Sequence, residues 1–165
     1  MIIKHNLQWQ VGFSQSNHEQ PKQFVPARVP GAANLDWAEA LHMPDWKKGV
    51  NYKNFKWMED CYWIYRAQLP DEALEEGTTR WLTGKGIDYQ YEIYINNERL
   101  YAHEGMFTPF SLDLTGKKGE LKIVIFPAPK DSLGTVGTRE EAAQCCKPAV
   151  SYGWDWHPRL IPVGI

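Results

Sequence analysis

The sequence predicts an all-β fold, an antiparallel β-sandwich with one or two short helices in its connections. Short runs rich in β-branched and aromatic residues recur along residues 61–126, and such runs are typical of strands. Turn-forming residues separate the runs, with almost no helical pattern between them. At 165 residues, the chain has the size of one domain that can bury a core without disulfide or metal support.

The first third of the chain predicts a strand, an extended segment and a short helix. We expect the first strand around residues 7–11. Residues 21–31, PKQFVPARVPG, carry three prolines and should run extended along a sheet edge. Residues 34–44 predict a helix of one or two turns, with Asn34 as a candidate N-cap and Pro44 as its end.

After a loop predicted at residues 45–55, the apolar residues recur with a period of two. In residues 87–95, IDYQYEIYI, apolar and polar side chains alternate, so one face of this strand should be buried and the other solvated. Turn-rich segments at residues 70–77, 96–99 and 115–119 divide the pattern. The predicted strands are residues 61–69, 78–87, 88–95 and 120–126.

The last third of the chain is less regular. Residues 138–148, TREEAAQCCKP, combine a possible capping box, Thr138 with Glu141, and a terminating Pro148. They predict a short helix inserted in a connection.

Composition and charge exclude several function classes. The formal net charge is −2 with a pI near 6.2, and the Lys and Arg residues are scattered among acids, which argues against nucleic acid or an anionic membrane as a partner. We see no segment long enough to span a bilayer. The N-terminus lacks the apolar core and cleavage site of a secretory signal, so a cytoplasmic location is favoured while the compartment stays open.

The titratable residues give no pattern of a metal centre or a catalytic pair. Three cysteines occur without C-x-x-C spacing, so we interpret them as reduced structural thiols and predict no metal and no cofactor. His103 with Glu104, and Asp155 with His157, are adjacent or nearly so, a spacing more typical of independent groups than of an acid/base pair.

Aromatic residues are abundant, with eight Trp and eight Tyr. Large rings supply packing area in β proteins, but an excess of Trp is also typical of carbohydrate sites, where pyranose C–H groups stack on an indole plane. Trp154, Asp155 and Trp156 combine two such rings with a carboxylate that can accept two hydrogen bonds from neighbouring hydroxyls. They predict sugar recognition; the alternative is that both tryptophans are core residues and Asp155 caps a turn.

Four segments carry a family resemblance. Residues 25–41 have a Val-Pro-Gly segment followed by a short helix, residues 58–69 a Trp-x-Tyr-Arg strand, and residues 86–115 a strand, a hairpin and Met-Phe-Thr-Pro-Phe. Residues 152–160, YGWDWHPRL, are similar to a Gly-Trp-Asp-Trp-Gly-Pro motif. On these segments nearly the whole chain resembles the N-terminal sugar-binding domain of glycoside hydrolase family 2, most closely its β-mannosidase branch.

The resemblance implies a galactose-binding-domain-like jelly roll over residues 1–165, excised from a longer retaining exo-glycosidase of β-mannosidase or β-galactosidase type. The domain alone would not be an enzyme; it would buttress a catalytic (β/α)8 barrel of the same polypeptide, which carries the carboxylate pair. Asp155 would bind hydroxyls of a terminal β-mannoside or related glycoside, with Trp154 and Trp156 shaping the wall of the subsite.

Two departures from the family pattern leave alternatives open. His157 stands where the branch has Gly, at a position that can require a positive φ, and residues 138–146 resemble an insertion. The chain could instead be a free-standing carbohydrate-binding module, or a structural sandwich whose ancestral site has decayed. Related glucosaminidases and galactosidases share the domain, so the sugar itself stays open.

Overall fold

The computed structural model describes residues 4–71 and 75–165. Within these ranges the chain forms eight strands, one α-helix and three 3₁₀ helices. The strands are β1 Trp9–Ser14, β2 Val25–Ala27, β3 Tyr62–Gln68, β4 Trp81–Gly84, β5 Gln90–Ile95, β6 Glu98–Glu104, β7 Phe110–Asp113 and β8 Glu120–Ile125. The helices are α1 Ala33–Ala40 and the 3₁₀ helices Asn51–Asp60, Arg139–Ala142 and Ala149–Tyr152.

The strands form two antiparallel sheets. The larger has the order β2-β1-β3-β8-β5-β6, and the smaller pairs β4 with β7. The register of the larger sheet aligns buried residues in one row, because Tyr65 lies opposite both Val11 and Ile123, and Ile123 lies opposite Ile93. The predicted all-β fold of antiparallel sheets with short helices in its connections is confirmed.

The buried face predicted around β5 is confirmed, but the opposite face is only partly solvated, because the side chains of Asp88 and Glu92 are in ion pairs and are 17% and 12% exposed. The five apolar residues of the pattern lie on one buried face, none more than 6% exposed, while Gln90 is exposed and Glu92 is half-buried. The extended segment at residues 21–31 is also confirmed at the sheet edge, since β2 is the end strand of the larger sheet and pairs with β1. The buried residues of the pattern are Ile87, Tyr89, Tyr91, Ile93 and Ile95.

Several tryptophans belong to the core. Trp63 is fully buried, and its Nε1 donates a hydrogen bond to the carbonyl of Met58 at 3.0 Å. Phe13 packs on Trp37 and Trp63 with ring centroids 5.0 and 5.7 Å away. Burial of such large apolar rings stabilises the fold, and the hydrogen bond avoids leaving a buried N–H without a partner.

The predicted helix start at Asn34 is wrong. Helix α1 begins at Ala33 with Ala32 as N-cap, and Asn34 is buried inside the first turn. The reason is tertiary: the Ala33 N–H donates to the carbonyl of Val163 at 2.9 Å, so the C-terminal segment determines where the helix begins. In the described part of the chain, no helix is long and apolar enough to cross a membrane.

Other predicted boundaries need correction. The first strand begins at Trp9 and runs past residue 11 to Ser14, since Trp9 pairs with Ala27 of β2 and residues 10–14 pair with β3. The predicted loop at residues 45–55 gives way to a 3₁₀ helix from Asn51, because Phe55 is buried in the core. Within the predicted strand 78–87, the part that forms a strand is β4, which pairs with β7. Part of the predicted turn 70–77 lies outside the described residues.

A buried ion pair joins the segment after the insertion to the start of β5. Lys147, 4% exposed, donates from Nζ to Asp88 Oδ2 at 2.5 Å and to the carbonyl of Pro162 at 2.7 Å. Asp88 also exchanges two backbone hydrogen bonds with Gly164. Burial raises the pKa of Asp88 and lowers the pKa of Lys147, and each partner's charge opposes the shift of the other.

We predict that Lys147→Met destabilises the domain strongly at neutral pH. Removing one partner leaves the Asp88 carboxylate buried without a cation, a cost of about 3–5 kcal/mol, or a fall in Tm on the order of 10 °C for a domain of this size. Lys117, in a surface pair with Glu98 at 3.3 Å, is the matched control. Lys117→Met should change the free energy of unfolding by less than about 1 kcal/mol.

The deficit of Lys147→Met should depend on pH. Without the lysine charge the pKa of folded Asp88 rises further above its unfolded value, so the folded state binds a proton more tightly than the unfolded chain. Stability of the variant should therefore recover as pH falls from neutral toward the ordinary range of an aspartate. A thermal scan at several pH values measures this, and a deficit that stays constant or grows on acidification contradicts it.

Candidate functional site

The Trp-Asp-Trp sequence forms a tight turn that projects from the domain. The Trp154 N–H donates to the carbonyl of His157 at 2.9 Å, and the His157 N–H donates back at 3.2 Å. Asp155 and Trp156 therefore lie at the tip, where Asp155 is exposed and Trp156 is 75% exposed. Gly153 precedes the turn with φ of 113°, in the region that favours glycine.

Asp155 has no structural role in closing this turn. Among the described residues its carboxylate accepts no hydrogen bond and forms no ion pair, because the two backbone bonds between Trp154 and His157 already close the turn. The alternative in which Asp155 caps the turn therefore lacks the hydrogen bond that it requires. Both carboxylate oxygens remain available for other donors.

His157 occupies the family's glycine position without left-handed strain. The non-glycine residues of the described chain with positive φ are His42, Asn96 and Asn97, so His157 has an ordinary backbone conformation. Its ring lies 5.8 Å from that of Trp46. The positive φ of this motif falls at Gly153 instead.

The two local pairs considered in the sequence do not meet as acid/base partners. His157 Nδ1 lies 2.6 Å from the carbonyl of Pro158 and has no described bond to Asp155. His103 packs its ring beside Tyr91, with Nε2 buried, whereas Glu104 is exposed at the end of β6.

A groove of about 770 Å³ lies beside the turn. Trp154 and Asp155 line it, whereas Trp156 lies outside the lining with its ring centroid 5.6 Å from that of Trp154. One wall comes from the 3₁₀ helix Asn51–Asp60 and another from residues 137–140. The groove is also lined by Tyr52, Lys53, Lys56, Arg139, Glu140 and Arg159.

Arg159 anchors the end of the turn in a buried ion cluster. Its Nε and Nη2 donate to the two carboxylate oxygens of Glu59, each at 2.9 Å, and Nη2 lies 2.7 Å from Glu141 Oε2. Nη1 donates to the carbonyl of Tyr152 at 3.1 Å. Burial lowers the pKa of Arg159, but the hydrogen bonds and charges of Glu59 and Glu141 outweigh it and hold the pKa above its ordinary value.

The capping box predicted from Thr138 and Glu141 is half right. Thr138 is the N-cap of the 3₁₀ helix Arg139–Ala142, and its Oγ1 accepts from the Glu140 N–H at 3.3 Å. Glu141 does not reach back to the cap, because its carboxylate is buried against Arg159. The ion pair between Glu141 and Arg159 thus takes the place of the predicted hydrogen bond between Glu141 and the N-cap.

Lysines on the groove were not found from the sequence. Lys53 and Lys56 are exposed and have no acid within 4.0 Å among the described residues. Lys130 differs, because it binds Glu59 at 2.9 Å and Asp60 at 2.5 Å. Only the position of Arg159, three residues after Trp156, could have pointed to a role in this region.

The metal-ligating residue types do not gather here. Among the described residues, no group of three or more His, Cys, Asp or Glu side chains could hold a metal ion. The thiols of Cys61, Cys145 and Cys146 are free.

Comparison with known proteins gives a family match over most of the chain. Residues 9–165 match the family model of the glycosyl hydrolase 2 galactose-binding domain-like domain. Beta-mannosidase A of Emericella nidulans is 24% identical over 178 aligned positions, which cover 96% of this chain and 18% of that protein. Beta-mannosidase B of Aspergillus terreus is 22% identical, with 93% and 20% covered. The chain thus spans about a fifth of these relatives.

Solved structures agree with this match. The beta-D-mannosidase of Dictyoglomus thermophilum superimposes with a TM-score of 0.70 and 25% identity, covering 95% of this chain and 20% of that one. A beta-glucuronidase of Faecalibacterium prausnitzii shares the fold with a TM-score of 0.51 at 13% identity, over 83% of this chain and 24% of that one.

We predict that Glu141→Gln lowers stability while Glu140→Gln does not. Glu141 supplies a buried charge 2.7 Å from Arg159 Nη2. Removing one partner of a buried ion pair costs about 3–5 kcal/mol, and the loss should lie below this range because Glu59 still neutralises Arg159. Glu140 is the adjacent, exposed carboxylate and serves as the matched control. Urea unfolding of the two variants measures the difference, and equal midpoints would show that the Arg159 cluster adds no stability.

Proposed function

This chain belongs to the glycosyl hydrolase 2 galactose-binding domain-like family, and on that premise we propose that it is the N-terminal sugar-binding domain of a β-mannosidase-like glycosidase. In this proposal Asp155 binds hydroxyls of a terminal sugar. Trp154 and Trp156 shape the wall of the subsite, and the catalytic (β/α)8 barrel belongs to the rest of the polypeptide.

The observation that carries the proposal is the state of Asp155. An exposed carboxylate with no described protein partner, beside two indole rings and a groove, is available to accept hydrogen bonds from two neighbouring hydroxyls. Hydrogen bonds to an ionised acceptor are the stronger kind. Vicinal hydroxyls of a pyranose would supply these donors.

The two tryptophans of the turn differ in setting from those of the core. Trp63 is fully buried with a satisfied N–H, whereas Trp154 is half-buried and Trp156 is 75% exposed. Exposure of a large ring on a turn has no packing benefit for this domain. Such rings fit a wall against which sugar C–H groups stack.

A second domain would cover the apolar residues on this side of the molecule. Leu133 and Val136, in the segment that leads into the groove, are 91% and 87% exposed. Trp156 is 75% exposed as well, and large apolar side chains left exposed in this way are available to an interaction surface. The chain spans about a fifth of the β-mannosidases that it resembles, which supports a partner domain within the same polypeptide.

The catalytic carboxylates would come from that second domain. Retaining glycosidases need two carboxyl groups about 5 Å apart, one of them with a raised pKa so that it can act as an acid. Glu140, the other carboxylate lining the groove, has its pKa lowered by the hydrogen bond from the Thr135 N–H. It is therefore unsuited to protonate a leaving group.

The terminal sugar that we propose is a β-mannoside. The support is that the two fungal relatives and the Dictyoglomus structure are named as β-mannosidases. A free-standing carbohydrate-binding module would use the same aromatic surface, and the experiments on Asp155 below distinguish it.

We predict that the purified chain hydrolyses neither p-nitrophenyl β-mannoside nor p-nitrophenyl β-galactoside. Of the carboxyl groups that line the groove, Glu140 has a lowered pKa, so we expect it to stay ionised and not to serve as the acid of a catalytic pair. Colour release is followed over hours at several pH values. Turnover that persists through a second purification and disappears in Asp155→Ala would contradict the proposal that catalysis resides elsewhere.

We predict that Asp155→Asn and Asp155→Ala reduce kcat/KM of the complete polypeptide on the order of a hundredfold or more. Each charge-assisted hydrogen bond contributes about 1.5–3 kcal/mol, and two would be lost if both form in the transition state. The isolated domain should keep its Tm, because no described protein group bonds to the Asp155 carboxylate.

Two further measurements are needed to interpret the kinetics of the Asp155 variants. Glu140→Gln, on the same groove, is the matched control and should leave kcat/KM near wild type. A free-standing module would instead show loss of β-mannoside affinity in the isolated chain carrying Asp155→Ala. A lower Tm with unchanged kinetics per folded molecule would mean that Asp155 is structural and that the proposal is wrong.

A further inference from the structure

One ring of the sugar-binding turn is covered by an arginine of the insertion. The guanidinium carbon of Arg139 lies 4.1 Å from the ring centroid of Trp154. A guanidinium over an indole face is the most favourable cation–π arrangement in proteins. Arg139 is exposed and Trp154 is half-buried, so the contact lies at the surface of the groove.

Arg139 is held in place by its backbone. It is the first residue of the 3₁₀ helix Arg139–Ala142, whose N-cap Thr138 accepts a hydrogen bond from the Glu140 N–H. Two residues later Glu141 pairs with Arg159 at 2.7 Å. The same half-buried arginine therefore anchors both the helix that carries Arg139 and the end of the turn that carries Trp154.

The charge of Arg139 is not engaged elsewhere at close range. Among the described residues it forms no ion pair within 4.0 Å, and its charge acts on the neighbouring Glu140 only at longer range. The indole face is the close partner that the structure shows.

We propose that Arg139 is a positioning residue: its guanidinium covers one face of Trp154, holds the ring in its orientation beside Asp155, and restricts a sugar to the remaining surface of the indole. The claim that a sugar occupies the remaining surface rests on the proposed function. The claim that Arg139 holds the ring is independent of that function. The insertion of residues 138–146 thereby takes part in shaping the groove.

The contact is tested in the isolated chain by NMR. Stacking over an indole shifts the side-chain signals of the arginine upfield through the ring current, so the Arg139 Nε–H and Hδ signals should lie upfield of those of Arg99. The indole N–H of Trp154, assigned with Trp154→Phe, should move in Arg139→Met more than the other seven. Arg139→Lys should move it less, because the lysine keeps a cation.

Arg99→Met is the matched control. Arg99 lies on the edge strand β6 and pairs with Glu92 of the neighbouring strand β5. The Arg99→Met variant should leave the Trp154 signal unchanged. Ordinary shifts for Arg139, or a Trp154 signal that moves equally in both Met variants, would overturn the proposal. Loss of cooperative unfolding in Arg139→Met would also overturn it, because Arg139 would then be needed for folding.

The consequence for sugar binding is tested in the complete polypeptide with p-nitrophenyl β-mannoside. A surface cation–π contact of this strength corresponds to a fall in kcat/KM of about two- to fivefold in Arg139→Met, carried by KM, with Arg139→Lys closer to wild type. Unchanged KM with a displaced Trp154 signal overturns the restriction of the sugar. If Asp155→Asn has no effect while Trp154 is displaced, the proposed function fails and the positioning of the ring stands.

Discussion

The half-buried guanidinium of Arg159, held between the buried carboxylates of Glu59 and Glu141, makes the interaction on which the arrangement of the groove depends. Taking three charged groups out of water is costly, and only close geometry with several hydrogen bonds compensates for it. Here the bidentate contact with Glu59 supplies that geometry. Because the partners lie 100 and 18 positions away, this contact joins the long 3₁₀ helix, the insertion and the end of the turn.

The domain therefore separates a stabilised base from an exposed tip. Below the turn, Arg159 is satisfied by two acids and by the carbonyl of Tyr152. At the tip, the Asp155 carboxylate has no described partner and Trp156 is exposed. A rigid scaffold that presents unsatisfied groups is the usual construction of a recognition site, since the scaffold reduces the entropy lost on binding. The Lys147–Asp88 pair is a second buried anchor, and Lys147 also donates to the carbonyl of Pro162 in the C-terminal segment.

Much of the fold could be predicted because it rests on local pattern. Alternation in residues 87–95 matches the buried face around β5, and proline placement matched the edge position of β2. The errors occurred where distant segments compete with local signals. Asn34 looked like an N-cap, but hydrogen bonding of Ala33 to Val163 moved the helix start. Glu141 looked like the partner of Thr138, but the charge of Arg159 attracts it more strongly.

By itself the sequence determined the fold class, the family and the Trp154-Asp155-Trp156 motif, because each depends on residue types at short spacing along the chain. Only the tertiary structure decided that Asp155 has no described capping bond, that His157 avoids a positive φ, and that Lys53, Lys56 and Arg139 share a groove with the turn. These features arise when segments some 80 to 100 positions apart, such as Lys53 and Trp154, are brought together. Folding places them side by side through burial and charge pairing, which leave no periodic signature in the sequence.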